Sequence, residues 1–432
     1  MKTLEEKIAG KECRMVIVGL GYVGLPLALA FVEAGFAVMG LEKDTGKIEA
    51  LQRGESYIDD IPSQRLKAAV DRGFKATLSA EEAYAKADAI FICVPTPLTI
   101  TKDPDLSFIQ EAGEAFAPFL RPGNVVLLES TTYPGTTEEV LLPILTRGGM
   151  QVGKDFFLAF SPERVDPGNK SYGIRNTPKV VGGVTTRCTE LAASLYRQVA
   201  DDVVLVSSTR VAEMCKLLEN TYRVVNISLV NELAQLCHRM GISIWEVIGA
   251  ASSKPYGFTP FYPGPGMGGH CIPIDPFYLS WKARAYDFNL RFVELAGEIN
   301  DAMPRHVVDL VIEGLNRHAK PLYGSRVLVL GVAYKQDIAD VRESPALKII
   351  PMLERRGAKV VFIDPLVGSV RFDEGLRHSL PYSTQAIAEA DCVLLLTAHR
   401  SFPYHEIAQT ARLIVDTRNA LAGLPGEHII RL

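Results

Sequence analysis

The chain has 432 residues, more than one hydrophobic core sustains, so two or three domains are expected. Lys and Arg number 46 against 50 Asp and Glu, and 47% of the residues are apolar, which excludes a nucleic-acid surface and a polybasic membrane surface and fits a globular chain. No apolar run nears the ~20 residues that span a bilayer, and the first ten residues lack a signal-peptide core, so the expectation is a cytoplasmic protein with neither nucleic acid nor membrane as partner.

Seven cysteines stand at 13, 93, 188, 215, 237, 271 and 392. Their odd number, wide spacing and lack of a CxxC pair argue against a disulfide framework and against a metal site. Cys13, Cys93, Cys215, Cys237 and Cys392 lie in apolar or helical surroundings and read as packing residues, and Cys188 reads as surface or loop.

The first element is the apolar run Arg14 to Val18, a buried strand that feeds Gly19-Leu20-Gly21-Tyr22-Val23-Gly24 and then a helical stretch. This is GxGxxG in the strand-to-helix setting that gives it meaning. Gly19 allows the tight turn, Gly21 lets backbone approach a pyrophosphate, and Gly24 lets helix pack on strand. The phosphates would face the helix N-terminus, with Tyr22 and Val23 beside them. A second strand, Ala37 to Leu41, ends at Glu42, where a carboxylate binds ribose hydroxyls and repels a 2′-phosphate, so the cofactor expected is NAD rather than NADP. The competing reading is a glycine-rich turn without a ligand.

Three further apolar strands follow, Ala87 to Val94, Val125 to Leu128 and Phe157 to Phe160. Ligands of doubly wound sheets bind at the carboxyl ends of strands, so Pro95, Thr96, Ser130, Thr131 and Glu163 are candidates for the nicotinamide end. For each hydroxyl a helix cap or turn is the competing role.

From Thr209 to Arg239 there is neither Pro nor Gly, which predicts one long helix stopped at Gly241 and suited to linking domains or pairing with its counterpart in a dimer. Lys216 and Asn220 share a face at i, i+4, and Arg223, Asn226 and Glu232 continue its polar character. A lysine and an amide on one face can bind a developing oxyanion. A solvated charged face is the alternative.

The run Gly264-Pro265-Gly266-Met267-Gly268-Gly269-His270-Cys271-Ile272-Pro273-Ile274-Asp275-Pro276 is neither helix nor strand. A cysteine presented there is placed as a nucleophile, and Gly268 and Gly269 would keep side chains clear where a substrate carbon reaches its sulfur. The last third echoes the first: Arg326 to Leu330 entering Gly331, Lys359 to Ile363 ending in Asp364, then apolar runs within 390–397 and 412–418. No GxGxxG follows Gly331, so this domain takes something other than an intact dinucleotide. Lys335, Arg342 and Arg418 are candidates to meet phosphates, with surface salt bridges as the alternative.

An oxidant domain and a nucleophilic cysteine together point to oxidation past the aldehyde. The hemithioacetal formed on sulfur loses a second hydride, and water releases an acid from the thioester. At this point the motifs identify a resemblance. The chain resembles the UDP-glucose/GDP-mannose dehydrogenase family through Gly19-x-Gly21-x-x-Gly24, Val94-Pro95-Thr96-Pro97, Glu129-Ser130-Thr131-Thr132, Ser161-Pro162-Glu163-Arg164, Glu213-x-x-Lys216-x-x-x-Asn220, Gly268-Gly269-His270-Cys271-Ile272-Pro273-Ile274-Asp275 and Val341-Arg342-Glu343-Ser344.

The resemblance implies an α/β protein of two Rossmann-like doubly wound domains joined by a long central helix and a helical dimerisation region. The boundaries expected are 1–205 for the NAD domain, 206–318 for the central region with the cysteine loop, and 319–432 for the UDP-sugar domain. It implies a four-electron oxidation at C6 of a nucleotide sugar, and a homodimer or higher homo-oligomer. Cys271 then resembles the nucleophile, Lys216 and Asn220 the oxyanion pair, Asp275 the residue that handles water and protons, and Glu163 with Thr131 (or Thr132) the pair that positions the hydrolytic water. Arg342 falls on the cofactor side. Glu163, Arg164, Lys216, Asn220, Arg223, Tyr262, Gly268, Lys335 and Arg418 fall on the substrate side. The family's lysine before the aspartate is Ile274 here, so any role for that lysine is absent. The cysteine loop and Asn220-Thr221-Tyr222-Arg223 look most like members acting on UDP-N-acetylhexosamines in surface-polysaccharide pathways, gluco first, manno as the near alternative, and UDP-glucose further off. A two-electron dehydrogenase and a non-catalytic nucleotide sensor are the competing classes.

Overall fold

Short runs of β-branched and aliphatic residues bounded by Gly, Pro or polar residues become buried parallel strands when helices cover both faces of the sheet. The chain supplies two series of them. The computed structural model describes residues 2–58, 60–99, 103–166, 168–169, 171–269, 272 and 274–432. It divides into two compact units, Met1–Glu219 with Phe277–Phe288, and Asn220–Pro276 with Asn289–Leu432.

The first unit holds β1 (Arg14–Val18), β2 (Ala37–Leu41), β3 (Lys75–Thr77), β4 (Ala89–Ile92), β5 (Val125–Leu128), β6 (Phe157–Phe160), β7 (Lys179–Gly183) and β8 (Val203–Leu205). Their order is β3-β2-β1-β4-β5-β6-β7-β8. The first six positions are the doubly wound dinucleotide-binding order, whose switch point lies between β1 and β4. Strand alternation sends Met15 and Ile17 into one core and Val16 and Val18 into another, one on each face. β7 runs antiparallel to β6. Neither β7 nor β8 is among the strands expected from the apolar runs.

Cys188, expected at the surface or in a loop, is fully buried on the helix Thr186–Tyr196. That helix packs on the sheet, and the amide of Leu158 in β6 donates to the Cys188 sulfur at 3.3 Å. The helical period, which turns position 188 inward, decides its burial.

The second unit contains β9 (Arg326–Leu330), β10 (Lys359–Ile363), the antiparallel hairpin β11 (Ser369–Phe372) and β12 (Gly375–His378), β13 (Cys392–Leu395), β14 (Ile414–Asp416) and β15 (Ile429–Arg431). Five of them form a parallel sheet in the order β10-β9-β13-β14-β15. The echo is geometric as well as sequential. Gly19 after β1 has φ +85° and a Cβ there would lie 2.7 Å from the Cys93 carbonyl oxygen. Gly331 after β9 has φ +78° and its Cβ would lie 2.5 Å from the Thr397 carbonyl oxygen. Each glycine lets the first strand's turn press on the strand across the switch point.

The long helix spans Thr209–Met240, 32 residues, close to the stretch free of Pro and Gly. Beside the apolar Ala212, Leu217, Val224, Val230 and Ala234 it buries polar residues, and it leaves a row of large apolar ones exposed. Glu213, Lys216, Asn220 and Asn231 are buried, while Met214, Leu218, Tyr222, Leu229, Leu233, Leu236 and Met240 are exposed. Among the described residues no helix is long and apolar enough to cross a membrane.

Candidate active site

The cofactor end of the first unit is built from strand ends. A Cβ on Gly24 would fall 1.9 Å from the Gly19 carbonyl oxygen, so only glycine lets the helix Gly24–Glu33 start against the turn. At Gly21 a Cβ would meet nothing within 4 Å, which leaves an open cradle beside that helix N-terminus. Tyr22 is exposed and Val23 half-buried at the same turn. Glu42 follows β2 and is buried. Its carboxylate accepts from the Leu20 amide at 3.0 Å and the Lys43 amide at 2.8 Å, and Lys47 lies 3.3 Å away. An open cradle at Gly21, a helix N-terminus and an acid at the end of β2 fit NAD.

After β4, Pro95 is exposed and Thr96 buried, and the Thr96 carbonyl accepts from the Tyr278 hydroxyl. Ser130 spends its proton on the Val94 carbonyl at 2.8 Å, tying the end of β5 to the turn after β4, so toward a ligand it can only accept. Of the adjacent threonines, Thr131 is half-buried and its hydroxyl accepts from Lys216. Thr132 is buried. Of the two, Thr131 is therefore the threonine whose hydroxyl meets Lys216.

Glu213, one turn before Lys216, is the anchor of that contact. Its carboxylate accepts from the Gly135 amide at 2.5 Å, the Thr137 amide at 2.9 Å and the Thr137 hydroxyl at 2.7 Å. It thereby pins the long helix to the turn that carries Thr131. Burial pushes its pKa up, and despite the bonds from Gly135 and Thr137 it reaches about 7.

Glu163 sits at the end of β6 in a buried network. Lys179 bridges it to Glu129, at 2.9 Å from each carboxylate, and the Tyr196 hydroxyl donates to Glu129 at 2.5 Å. Burial alone would raise the Glu163 pKa. Lys179, the Val165 amide and Lys216 outweigh burial, and the net shift is downward. Burial dominates at Glu129, with a net upward shift. Lys179 would be neutralised by burial, but its two carboxylates reverse this and raise it. Arg164, expected at the substrate, turns its guanidinium to Glu219 at 2.7 Å and to the Pro178 carbonyl at 2.9 Å.

In the second unit Asn220 donates to Asp275 at 2.6 Å, and both are buried. Asp275 opens the helix Asp275–Arg284. His270, Cys271 and Pro273 lie outside the described residues, so the proposed nucleophile has no structural account here. The preceding glycines do. Gly264 donates to Asn231 at 2.9 Å and Met267 donates to Asn300 at 2.6 Å. A Cβ on Gly268 would lie 2.7 Å from the Glu343 carbonyl oxygen and 2.7 Å from the Tyr334 Cβ. One on Gly269, at φ +91°, would lie 2.8 Å from the Tyr334 ring. These glycines therefore admit Tyr334 and the 342–343 backbone. The Gly269 amide donates to the Arg342 carbonyl at 2.9 Å.

Of the basic residues in this unit, Arg418 follows β14 and places its guanidinium 2.7 Å from where a Gly264 Cβ would be. Its Nε donates to the Leu396 carbonyl at 2.9 Å. Burial lowers its pKa to about 10, against the pull of Asp416. Asp416 itself is spent on the amides of Arg418, Ala420 and Leu421. Arg342 holds Asp340 at 2.6 Å, Lys335 is half-buried beside Tyr334, Arg223 is exposed, and Tyr262 is exposed and stacked on Trp245 at 6.1 Å.

The residues that sequence reading left without roles are Lys179, Glu129, Glu213, Asn231 and Asn300. Three signals were available. Two acids end adjacent buried strands and need a countercharge, a lone lysine leads the apolar strand β7, and an asparagine within a helix is a poor helix former.

Comparisons with known proteins agree with this geometry. Residues 13–200 match the NAD binding domain of the UDP-glucose/GDP-mannose dehydrogenase family, 210–302 its central domain and 328–423 its UDP binding domain. A UDP-N-acetyl-D-glucosamine 6-dehydrogenase of Pseudomonas aeruginosa is 35% identical over 397 residues, 91% of this chain and 92% of that protein. A UDP-N-acetyl-D-mannosamine dehydrogenase of Methanococcus maripaludis is 33% identical over 426 residues, 94% of this chain and 93% of the relative. The solved structure of a UDP-D-ManNAc dehydrogenase from Pyrococcus horikoshii superposes with a TM-score of 0.88 at 32% identity, covering 97% of this chain and 98% of that one. With its glycine cradle, strand-end acid and matching domains, the chain belongs to the UDP-glucose/GDP-mannose dehydrogenase family and is an NAD-dependent nucleotide-sugar dehydrogenase.

Proposed function

We propose that this chain oxidises the C6 hydroxymethyl group of a UDP-N-acetylhexosamine to the carboxylate. UDP-N-acetylglucosamine is its first substrate and UDP-N-acetylmannosamine the near alternative. The observation that carries the four-electron reading is the match of the last domain to a UDP binding domain together with Cys271 in its glycine loop, and the buried polar residues of the long helix supply the oxyanion partners. Lys216, in contact with Thr131, and Asn220, in contact with Asp275, follow at i, i+4 on that helix and suit an oxyanion, as they would in a two-electron dehydrogenase too; Cys271 and the UDP binding domain are what a two-electron enzyme would not need. Arg418, half-buried in its unit, with the Asp416 carboxylate already taken by backbone amides, supports a diphosphate-bearing substrate. The gluco preference rests on the cysteine-loop sequence and the Pseudomonas aeruginosa relative, and the manno alternative on the Methanococcus maripaludis relative.

NAD, when bound, accepts the hydride at each oxidation. The residues of the chain do the rest. Lys216 and Asn220 hold the alkoxide and later the tetrahedral oxyanion. The Cys271 thiolate adds to the aldehyde carbon, and loss of the second hydride from that carbon leaves a thioester. Water then bonds to the carbonyl carbon and the C–S bond breaks with its electron pair on sulfur. Thr131 and Glu163 orient that water, and Asp275, held by Asn220, handles the proton. We place the enzyme in the cytoplasm, as a homodimer, in the supply of uronic acids for surface polysaccharide.

The test is a panel of UDP-sugars with the purified protein, following NADH and product mass. The expected result is two NADH per sugar, with the N-acetylglucosamine substrate converted fastest. Cys271→Ser should abolish acid formation. Acid formed at the parental rate by that variant would sink the covalent route, and one NADH per sugar would mark a two-electron dehydrogenase.

A further inference from the structure

Glu163 is held by more than its own strand. Lys179 Nζ lies 2.9 Å from Glu163 Oε2 and 2.9 Å from Glu129 Oε2, with side-chain exposures of 4%, 8% and 0%. Glu163 Oε1 accepts from the amides of Arg164 at 2.8 Å and Val165 at 2.7 Å. A carboxylate oxygen offers two lone-pair directions, so among the described residues Oε1 is filled and Oε2 keeps one. Behind Lys179, the Tyr196 hydroxyl fixes Glu129 Oε1 at 2.5 Å and the Tyr196 ring centroid lies 5.2 Å from Nζ. The charged or titratable groups around this centre are Glu129 after β5, Lys179 on β7, Tyr196, Lys216 on the long helix and Cys93 after β4.

We propose that Lys179 is a positioning residue that clamps Glu163 as a fixed anionic acceptor, so that the one remaining direction on Oε2 aligns the hydrolytic water without taking its proton. This rests on the four-electron reading above and deepens it. In the step concerned, the water oxygen bonds to the thioester carbon and the C–S pair leaves on sulfur. One water proton goes to the thiolate and the other to solvent as the acid ionises. Breaking a buried charge bridge by removing one partner leaves two carboxylates facing each other, which frees Glu163 to protonate and to move.

The test is Lys179→Met, with Glu163→Gln as reference. Difference infrared spectroscopy, with the Glu163 carboxyl band assigned from the reference, follows its titration without substrate. In the parent it should titrate below the ordinary carboxylate range, and in Lys179→Met at least about one pH unit higher. With substrate, Lys179→Met and Glu163→Gln should both release two NADH per active site rapidly. Turnover should then slow by about 10²-fold, the scale of a misplaced reacting group. An enzyme adduct carrying the acyl sugar should be detectable by mass. A purely structural role would slow all steps together, without burst or adduct. If Lys179→Met does not fold, Lys179→Met/Glu129→Gln restores the buried net charge while still leaving Glu163 without its clamp, and the same burst is expected. An unmoved Glu163 titration, or hydrolysis at the parental rate in any of these variants, overturns the clamp. One NADH per sugar from the parent overturns instead the four-electron reading beneath it.

Discussion

Glu213 shows how much one side chain can set. It is buried, accepts three hydrogen bonds from the 135–137 turn, and holds the helix on which Lys216 meets Thr131. Burial raises its pKa from 4.5 to about 7. A raised folded-state value favours the neutral acid. Its contribution to stability is therefore full below about pH 4.5, falls as pH climbs toward 7, and is gone above that. The span of 7 − 4.5 amounts to about 3 kcal/mol. Glu213→Gln keeps a neutral group there at every pH. Its amide nitrogen meets donors and imposes a constant offset, but the melting temperature of the variant relative to the parent should rise between pH 5 and pH 8. Parallel curves in calorimetry would show that Glu213 does not titrate in this window. A second test at this scale concerns the proposed oxyanion pair. Lys216→Met should lower kcat by about 10²- to 10³-fold, the usual loss of one oxyanion donor, with KM changed far less. A loss confined to KM would move Lys216 from catalysis to binding.

At the scale of an element, the turn Gly19–Gly24 separates two reasons for glycine that a motif treats alike. Gly24 is required by the fold, because a Cβ would sit 1.9 Å from a carbonyl oxygen, whereas Gly21 faces open space. Gly24→Ala should therefore lower the melting temperature and NAD affinity together. Gly21→Ala should leave the melting temperature unmoved and weaken NAD about tenfold, a loss of ~1.4 kcal/mol. Calorimetry and an NAD titration on both variants check this, and a destabilised Gly21→Ala would place that glycine in packing rather than at the pyrophosphate. The loop Gly264–Gly269 teaches the complementary lesson. Its glycines are spent on Tyr334, on the 342–343 backbone and on Arg418, so the loop's position is set by its own unit.

On the scale of the whole molecule, the long helix leaves an apolar stripe uncovered beside the face it buries. Met214, Leu218, Tyr222, Leu229, Leu233, Leu236 and Met240 recur mostly at three- and four-residue intervals, with half-buried Val225 between Tyr222 and Leu229. A row of large exposed side chains on one face is an association surface, and a second copy of this helix is self-complementary to it. If the chain forms the homodimer proposed above through this face, Leu218→Glu/Leu229→Glu should give a monomer in light scattering, and an unchanged mass would remove this face from the interface.

Much of this molecule is written locally. Apolar runs such as Arg14–Val18 and Lys359–Ile363 announce their strands, GxGxxG announces its turn, and the stretch from Thr209 to Arg239 without Pro or Gly announces a helix, because each depends on neighbours within a few positions. The types of chemistry are local too: a cysteine among glycines, and a lysine and an asparagine one turn apart. Which groups meet is another matter. Lys216 finds Thr131 across 85 residues, Lys179 finds Glu129 across 50, and Asn220 finds Asp275 across 55. A lone lysine at the head of β7 and a cysteine at 188 look the same in sequence whether buried or exposed. Their burial, the pairing of the strand-end acids, and the use made of Gly268 and Gly269 come from long-range packing. Local pattern carries the periodicity of backbone and burial, and only the assembled fold brings distant charges within hydrogen-bond reach.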